Sequence, residues 1–296
     1  MKILITGGTG LVGSAIIQKL IARGDEIINL STSKSSISNG VQHIMWNPKK
    51  GEIKESIPQV DAVINLAGYS VANKWTTENK AKIIDSRMQS TELLMRIISE
   101  MPQKPKVIVT TSASGYYAPS YLVQDENAPA GTGFLSELCV DWENATLKAE
   151  EIGIRRVILR VGVVLAKGEG ALGKMLPFFK LGVGSATGSG KQYMSWIHLQ
   201  DLADMYIHAI DNEQVSGSYN ACSPNPVTNY EYSKTLAKTI HRPFFFPNVP
   251  KFALDLLFGE MSSMLLNSQR LSAQKIIQTG FHFKFTEIKS ALKDLL

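Results

Sequence analysis

Short apolar runs recur along the chain with room for a helix between them. Lys2–Thr6, Glu26–Leu30, His43–Trp46, Ala62–Leu66, Val107–Thr111 and Arg156–Val161 have strand length and read as strands buried on both faces. Between most of them, apolar residues fall three and four apart, notably over Leu11–Arg23, Lys80–Glu100 and Leu138–Ile152, which predicts helices. This alternation predicts an α/β fold of Rossmann type, a doubly wound parallel sheet with helices on both faces. In such a sheet, ligands sit outside the carboxyl ends of the strands, where strand order reverses. Candidate chemistry should therefore lie just after these runs.

After Val161 the pattern changes to a glycine-rich segment, 167–192, read as a long loop on the substrate side. The Pro243-Phe244-Phe245-Phe246-Pro247 run then introduces short helical stretches that end in the aromatic patch Phe281, Phe283 and Phe285. The expected organisation is a nucleotide-binding domain over residues 1–242 and a small, mainly helical C-terminal appendage over 243–296.

Residues 3–13, Ile-Leu-Ile-Thr-Gly-Gly-Thr-Gly-Leu-Val-Gly, place a strand, a glycine turn and a helix start in succession. That context gives the glycines a mechanism: one takes a tight turn, one lets backbone approach a pyrophosphate, and one lets helix and strand pack closely. Free amides and the positive dipole end of the helix would then face the phosphates. Gly7, Thr9, Gly10, Leu11, Val12 and Gly13 are thus candidate cofactor-binding residues. The next strand ends at Ser31-Thr32-Ser33-Lys34 with no carboxylate to accept from a ribose 2′-hydroxyl. Ser31, Thr32 and Lys34 suit a 2′-phosphate, so NADP(H) is expected over NAD(H). A second candidate, Gly184 to Lys191, has Ser185 where a nucleoside-triphosphate loop needs glycine, and does not support nucleotide hydrolysis.

Composition narrows the picture. Lys and Arg number 31 against 26 Asp and Glu, a formal charge of +5 that is a mild bias over 296 residues, and no nucleic-acid partner is expected. Cys139 and Cys222 form no metal-ligand spacing, so no metal site is expected and a reducing, cytoplasmic setting fits. No signal peptide is readable at the N-terminus. The most apolar later stretch, Phe252 to Leu266, carries Asp255 and Glu260 and is too short for a bilayer, so no membrane association is expected. A small-molecule substrate is the expected partner, and a homodimer is compatible with this reading.

Thr6-Gly7-x-x-Gly10-x-x-Gly13, Asn65-Leu66-Ala67-Gly68 and Trp196-Ile197-His198-Leu199-Gln200-Asp201-Leu202-Ala203 together resemble the extended short-chain dehydrogenase/reductases, which include nucleotide-sugar epimerases. The nearer resemblance is to an atypical branch called the epimerase family. It extends over Arg87-Met88-Gln89-Ser90-Thr91, Ser112-Ala113-Ser114-Gly115-Tyr116-Tyr117, Gly173-Lys174-Met175-Leu176-Pro177 and Gly188-Ser189-Gly190, essentially the whole chain. The resemblance implies that Leu66, Ala67 and Gly68 also contact the cofactor. It implies hydride transfer by a Tyr-x-x-x-Lys pair, with a Ser at the end of the fifth strand and Lys lowering the Tyr pKa. Ser112 matches that Ser. The corresponding helix, however, places Leu135 at the Tyr position and Cys139 at the Lys position, and Arg87 stands where the family's Asn organises the relay.

Tyr116 and Tyr117 follow the fifth strand and are candidate substitute acids beside Ser112. Packing is an equal reading for both, since adjacent residues on an extended segment point opposite ways. Cys139 reads more readily as a small buried hydrophobe than as a reactive thiol. Arg87 reads as a cation for cofactor phosphate or substrate, with Lys82 on roughly the same helix face. Asp201 is expected to cap the helix after it, and His198 to orient the loop. Trp75, Trp196, Met175 and Met194 either line an apolar cleft or pack the core. Two functions follow: an NADP(H)-dependent oxidoreductase or epimerase-like enzyme, and a catalytically silent NADP(H)-binding sensor or interaction module.

Overall fold

The computed structural model describes residues 1–296. The chain begins β1 (Lys2–Thr6), α1 (Leu11–Arg23), β2 (Glu26–Ser31), β3 (Ser36–Ser38), β4 (Val41–Asn47), β5 (Glu52–Ile53), β6 (Ala62–Asn65), α2 (Thr77–Glu100), β7 (Val107–Ala113) and β8 (Ser120–Gln124). It continues through α3 (Phe134–Asn144), α4 (Lys148–Glu151), β9 (Arg155–Val161), β10 (Val163–Ala166), α5 (Gly170–Lys180), β11 (Tyr193–Met194), β12 (Trp196–His198), α6 (Leu199–Asp211) and β13 (Gly217–Ala221). The remainder holds β14 (Val227–Thr228), α7 (Asn229–Thr239), α8 (Lys251–Phe258), α9 (Ser263–Leu266), β15 (Gln269–Leu271), α10 (Gln274–Gln278) and α11 (Ile288–Leu295).

The main sheet has the order β13-β9-β7-β6-β1-β2-β4-β3, with β5 added to β4. Its strands are parallel except β3 and β5. The chain winds from β1 outward through β2 and β4, then returns to build β6, β7, β9 and β13 on the other side. Strand order therefore reverses between β1 and β6, and the crevice at their carboxyl ends is the place for a ligand. Alternate residues of one strand supply opposite faces: Ile3 and Ile5 pack with α1 and α6 residues such as Leu20 and Tyr206, whereas Leu4 joins Leu94 and Ile98 of α2.

Two expectations need correction. The segment 167–192 contains α5, because Leu172, Met175, Leu176 and Phe179 repeat at helical spacing and pack in one apolar cluster. The helix expected over 138–152 divides into α3 and α4, where the buried Thr146 hydroxyl donates back to the Glu143 carbonyl at 2.8 Å and competes with helix continuation. The C-terminal appendage packs on the rest of the chain: Phe285, Ile288 and Leu292 share one core with Leu165, Trp196 and Tyr232. No helix is long and apolar enough to cross a membrane.

Candidate active site

The glycine turn closes the carboxyl end of β1. Gly7 has φ +72°, and a Cβ there would lie 2.9 Å from the Leu66 backbone, so glycine is needed for both conformation and space. Gly13 is equally confined, since its Cβ would fall 2.6 Å from the Gly8 Cα. Gly10 differs: at φ −79° its Cβ would meet only the Gly7 carbonyl oxygen, at 3.4 Å. What glycine leaves open at residue 10 is space outside the protein. Gly10 is also the N-cap of α1 and supplies no side-chain cap. The amides of Leu11, Val12 and Gly13 consequently have no acceptor within the helix. This cradle fits the pyrophosphate of a dinucleotide.

Polar side chains within the apolar strands hold the cradle. Asn29 of β2 accepts the Gly8 amide on Oδ1 at 3.0 Å. Thr6 of β1 donates to Asn65 Oδ1 at 2.8 Å and accepts the Leu66 and Ala67 amides at 3.1 and 3.2 Å, fixing the loop that leads to Gly68. Asn65 and Trp142 both donate to Thr91 Oγ1 at 3.2 Å, tying that loop to α2 and α3. The available signal was a buried polar residue in each otherwise apolar run, which demands a partner. At the end of β2, Thr32 and Lys34 are exposed, Ser31 is half-buried, and Lys34 makes no ion pair.

The carboxyl end of β7 carries the next group. Ser112 is buried, 1% exposed, and donates from Oγ to Glu143 Oε1 at 2.7 Å. Arg160 of β9 grips the same carboxylate, Nε to Oε1 and Nη2 to Oε2, each at 2.9 Å. Arg160 Nη1 donates to the Tyr117 hydroxyl at 2.9 Å, and that hydroxyl donates to Asn220 Oδ1 at 2.8 Å. Tyr117 is also 1% exposed, and burial pushes its phenol up to about 12. Ser112 and Tyr117, expected at the reacting centre, are thus both committed to a buried network behind it. Tyr116 is the half-buried member, with the Arg160 guanidinium 3.5 Å from its ring centroid.

Arg87 approaches from α2. Its Nη1 donates to the Tyr69 and Ile83 carbonyls at 2.9 and 3.0 Å, and its guanidinium carbon lies 4.8 Å from the Trp142 ring centroid. A Cβ on Gly68 would come within 3.0 Å of that carbon, so the glycine of this loop makes room for the guanidinium. Burial lowers the Arg87 pKa to about 10. Lys82 does not join it: exposed, it pairs with Glu78 one turn back at 2.6 Å.

The comparisons decide what this arrangement belongs to. A family model described as the NAD dependent epimerase/dehydratase family matches residues 3–222. The chain belongs to this family. A second model, a domain of unknown function (DUF1731), matches residues 249–295. The Bacillus subtilis epimerase family protein YfhF is 34% identical over 299 residues, covering 100% of this chain and 98% of that protein. The crystal structure of the human epimerase family protein SDR39U1 with NADPH superposes with a TM-score of 0.90 at 34% identity, covering 100% of this chain and 99% of that one. A Thermotoga maritima UDP-glucose 4-epimerase with UDP-glucose, at 16% identity, TM-score 0.79 and coverage of 100% and 97%, shares the fold. The chain thus has the NAD(P)-binding fold of the epimerase family.

Within that fold, Leu135 stands beside the turn after β7, close enough that a Cβ on Gly115 would lie 3.1 Å from its own Cβ. Cys139, one turn further along α3, directs Sγ to the Ala113 carbonyl at 3.8 Å, and burial pushes its thiol up to about 11. On the substrate side two roles are exchanged relative to expectation. His198 is the N-cap of α6 and accepts the Gln200 amide on Nδ1 at 3.1 Å. Asp201 instead accepts the Lys284 and Phe285 amides at 2.8 and 2.9 Å and ties down the C-terminal segment, a long-range partner invisible to local capping rules. Trp196 is fully buried in the core, whereas Trp75 is half-buried against Phe134, ring centroids 5.1 Å apart.

Proposed function

We propose that this protein is an NADP(H)-dependent oxidoreductase of the epimerase type whose proton donor is Tyr116. The observation that carries the reading is an uncapped α1 N-terminus beside a carboxylate-free, Lys34-bearing end of β2, at the point where strand order reverses. The likeness to the human relative crystallised with NADPH supports it. Gly7, Thr9, Gly10, Leu11, Val12 and Gly13 would hold the pyrophosphate, Ser31, Thr32 and Lys34 the 2′-phosphate, and Leu66, Ala67 and Gly68 the sugar alongside. When bound, the dinucleotide supplies or accepts a hydride. Tyr116, half-buried and with the Arg160 guanidinium against its ring, would move the proton at its hydroxyl. Ser112, Glu143 and Tyr117 fix Arg160 and so position Tyr116. A panel of carbonyl compounds and nucleotide sugars, assayed for NADPH oxidation, tests this. Turnover should appear with one class and fall about 10²–10⁴-fold in Tyr116→Phe, the usual contribution of a general acid, with NADPH affinity unchanged.

A second reading, a silent NADP(H)-binding sensor, draws on the burial of Ser112 and Tyr117 and on Leu135 and Cys139 at the relay positions. NADPH binding with no turnover across the panel would favour it.

A further inference from the structure

Arg87 is a buried cation without a counter-ion. Its side chain belongs to a residue only 8% exposed, yet no carboxylate lies within 4.0 Å of its guanidinium, and its hydrogen bonds run only from Nη1 to two backbone carbonyls. Nε is sealed from solvent with no partner. Nη2 also has no partner in the chain, but it is not among the sealed atoms. An unpaired guanidinium taken out of water is expensive, and in the other buried case, Arg160, the chain supplies the bidentate carboxylate of Glu143. The uncompensated charge at Arg87 is held in place by the missing side chain at Gly68, by the Trp142 face and by the two carbonyls.

The placement separates this charge from the pyrophosphate cradle. The cradle's amides belong to α1 after β1, whereas Arg87 lies on α2, the connection from β6 to β7, with its guanidinium against Trp142 of α3. On the dinucleotide reading, the phosphates would be met by those α1 amides.

We infer that Arg87 is the receptor for a carboxylate on the substrate, so that the molecule transformed beside the cofactor is an acid. This rests on the dinucleotide reading above, but its failure can be told apart from the failure of that reading. Nη2, the one guanidinium nitrogen that is neither partnered nor sealed, is the donor a carboxylate oxygen would meet, with the charge of the whole group behind it.

The test uses the full chain loaded with NADPH and titrated with malonate, with uncharged malonamide as control, followed by the fluorescence of the bound nicotinamide and by thermal melting. Malonate should bind saturably and malonamide should not. Arg87→Met should weaken malonate at least about tenfold, the scale of a lost hydrogen bond between charged groups, and Arg87→Lys should fall between, since it keeps the charge and loses the fixed direction of Nη2. NADPH affinity should change less than about threefold in both variants. A wild-type protein that binds NADPH but shows no saturable malonate response overturns the inference alone. So does a tenfold loss of NADPH affinity in Arg87→Lys, which would assign the guanidinium to the cofactor. If the wild type fails to bind NADPH, the cofactor reading itself falls. If Arg87→Met does not fold, Arg87→Lys decides by the same two titrations.

Discussion

Gly10→Ser separates the cofactor site from the fold more sharply than removal of any other glycine in the turn. At φ −79° and ψ 173° residue 10 already has the extended backbone of an N-cap, and a Cβ there touches nothing closer than 3.4 Å. Serine is a preferred N-cap, so its Oγ should accept one of the free amides at Val12 or Gly13 and leave stability unchanged or raised by a few tenths of a kcal/mol. Those same amides are the ones a pyrophosphate would use. Losing a hydrogen bond to a charged group costs about 1.5–3 kcal/mol, which is roughly 10- to 150-fold in NADPH affinity. Gly7→Ala is the contrast: φ +72° and a Cβ 2.9 Å from the Leu66 backbone should lower stability by about 1–3 kcal/mol. Calorimetric titration with NADPH, paired with thermal melts of both variants, reads the two effects independently. If Gly10→Ser binds NADPH as the wild type does, or if it melts as early as Gly7→Ala, the assignment of the uncapped helix to phosphate binding is wrong.

Two further outcomes follow from the buried groups. Glu143→Gln leaves the Arg160 guanidinium without its ion pair, and breaking a buried pair costs about 3–5 kcal/mol, a fall in melting temperature on the order of 10 °C; a shift of only a degree or two would show the network to be dispensable. His198 is buried, stacked on Phe285 with ring centroids 3.9 Å apart, and burial lowers its pKa from 6.5 despite Asp294 at 3.3 Å. Its unfolded form therefore takes up a proton first, so the associated stability is present above the unfolded pKa and is lost as pH falls below about 6.5. Denaturant titrations from pH 7.5 to 5 should show that loss reduced in His198→Asn, and an equal slope in both proteins would remove His198 from the account.

The strands around the crevice, the glycine turn and the amphipathic helices α1 and α2 were legible because each is declared by a local period or by residues a few positions apart. The opposite orientation of Tyr116 and Tyr117 was legible for the same reason. Which of the two points inward was not, because it depends on Asn220, 103 positions away, and on Arg160, whose charge sits inside a run that reads as an apolar strand. Ser112 matched its family position, but the Glu143 that accepts its hydrogen bond lies 31 residues on, so its burial could not be read from the motif. Asn29 and Thr6 organise the cradle while looking, in sequence, like imperfections in apolar strands. The α5 helix was hidden by Gly170 and Gly173, which suggest loop until the packing of Leu172 and Phe179 is known.

If the carboxylate-free end of β2 selects NADP(H), the two dinucleotides should bind this protein unequally. The direct measurement is calorimetric titration of the protein with NADPH and with NADH, repeated on Thr32→Asp. NADPH should bind tighter by about tenfold or more, as a charge-assisted contact to the 2′-phosphate implies, and the order should reverse in Thr32→Asp, where a carboxylate would repel that phosphate and accept from the free 2′-hydroxyl. Equal affinities for the two dinucleotides, or a preference for NADH in the wild type, would contradict it.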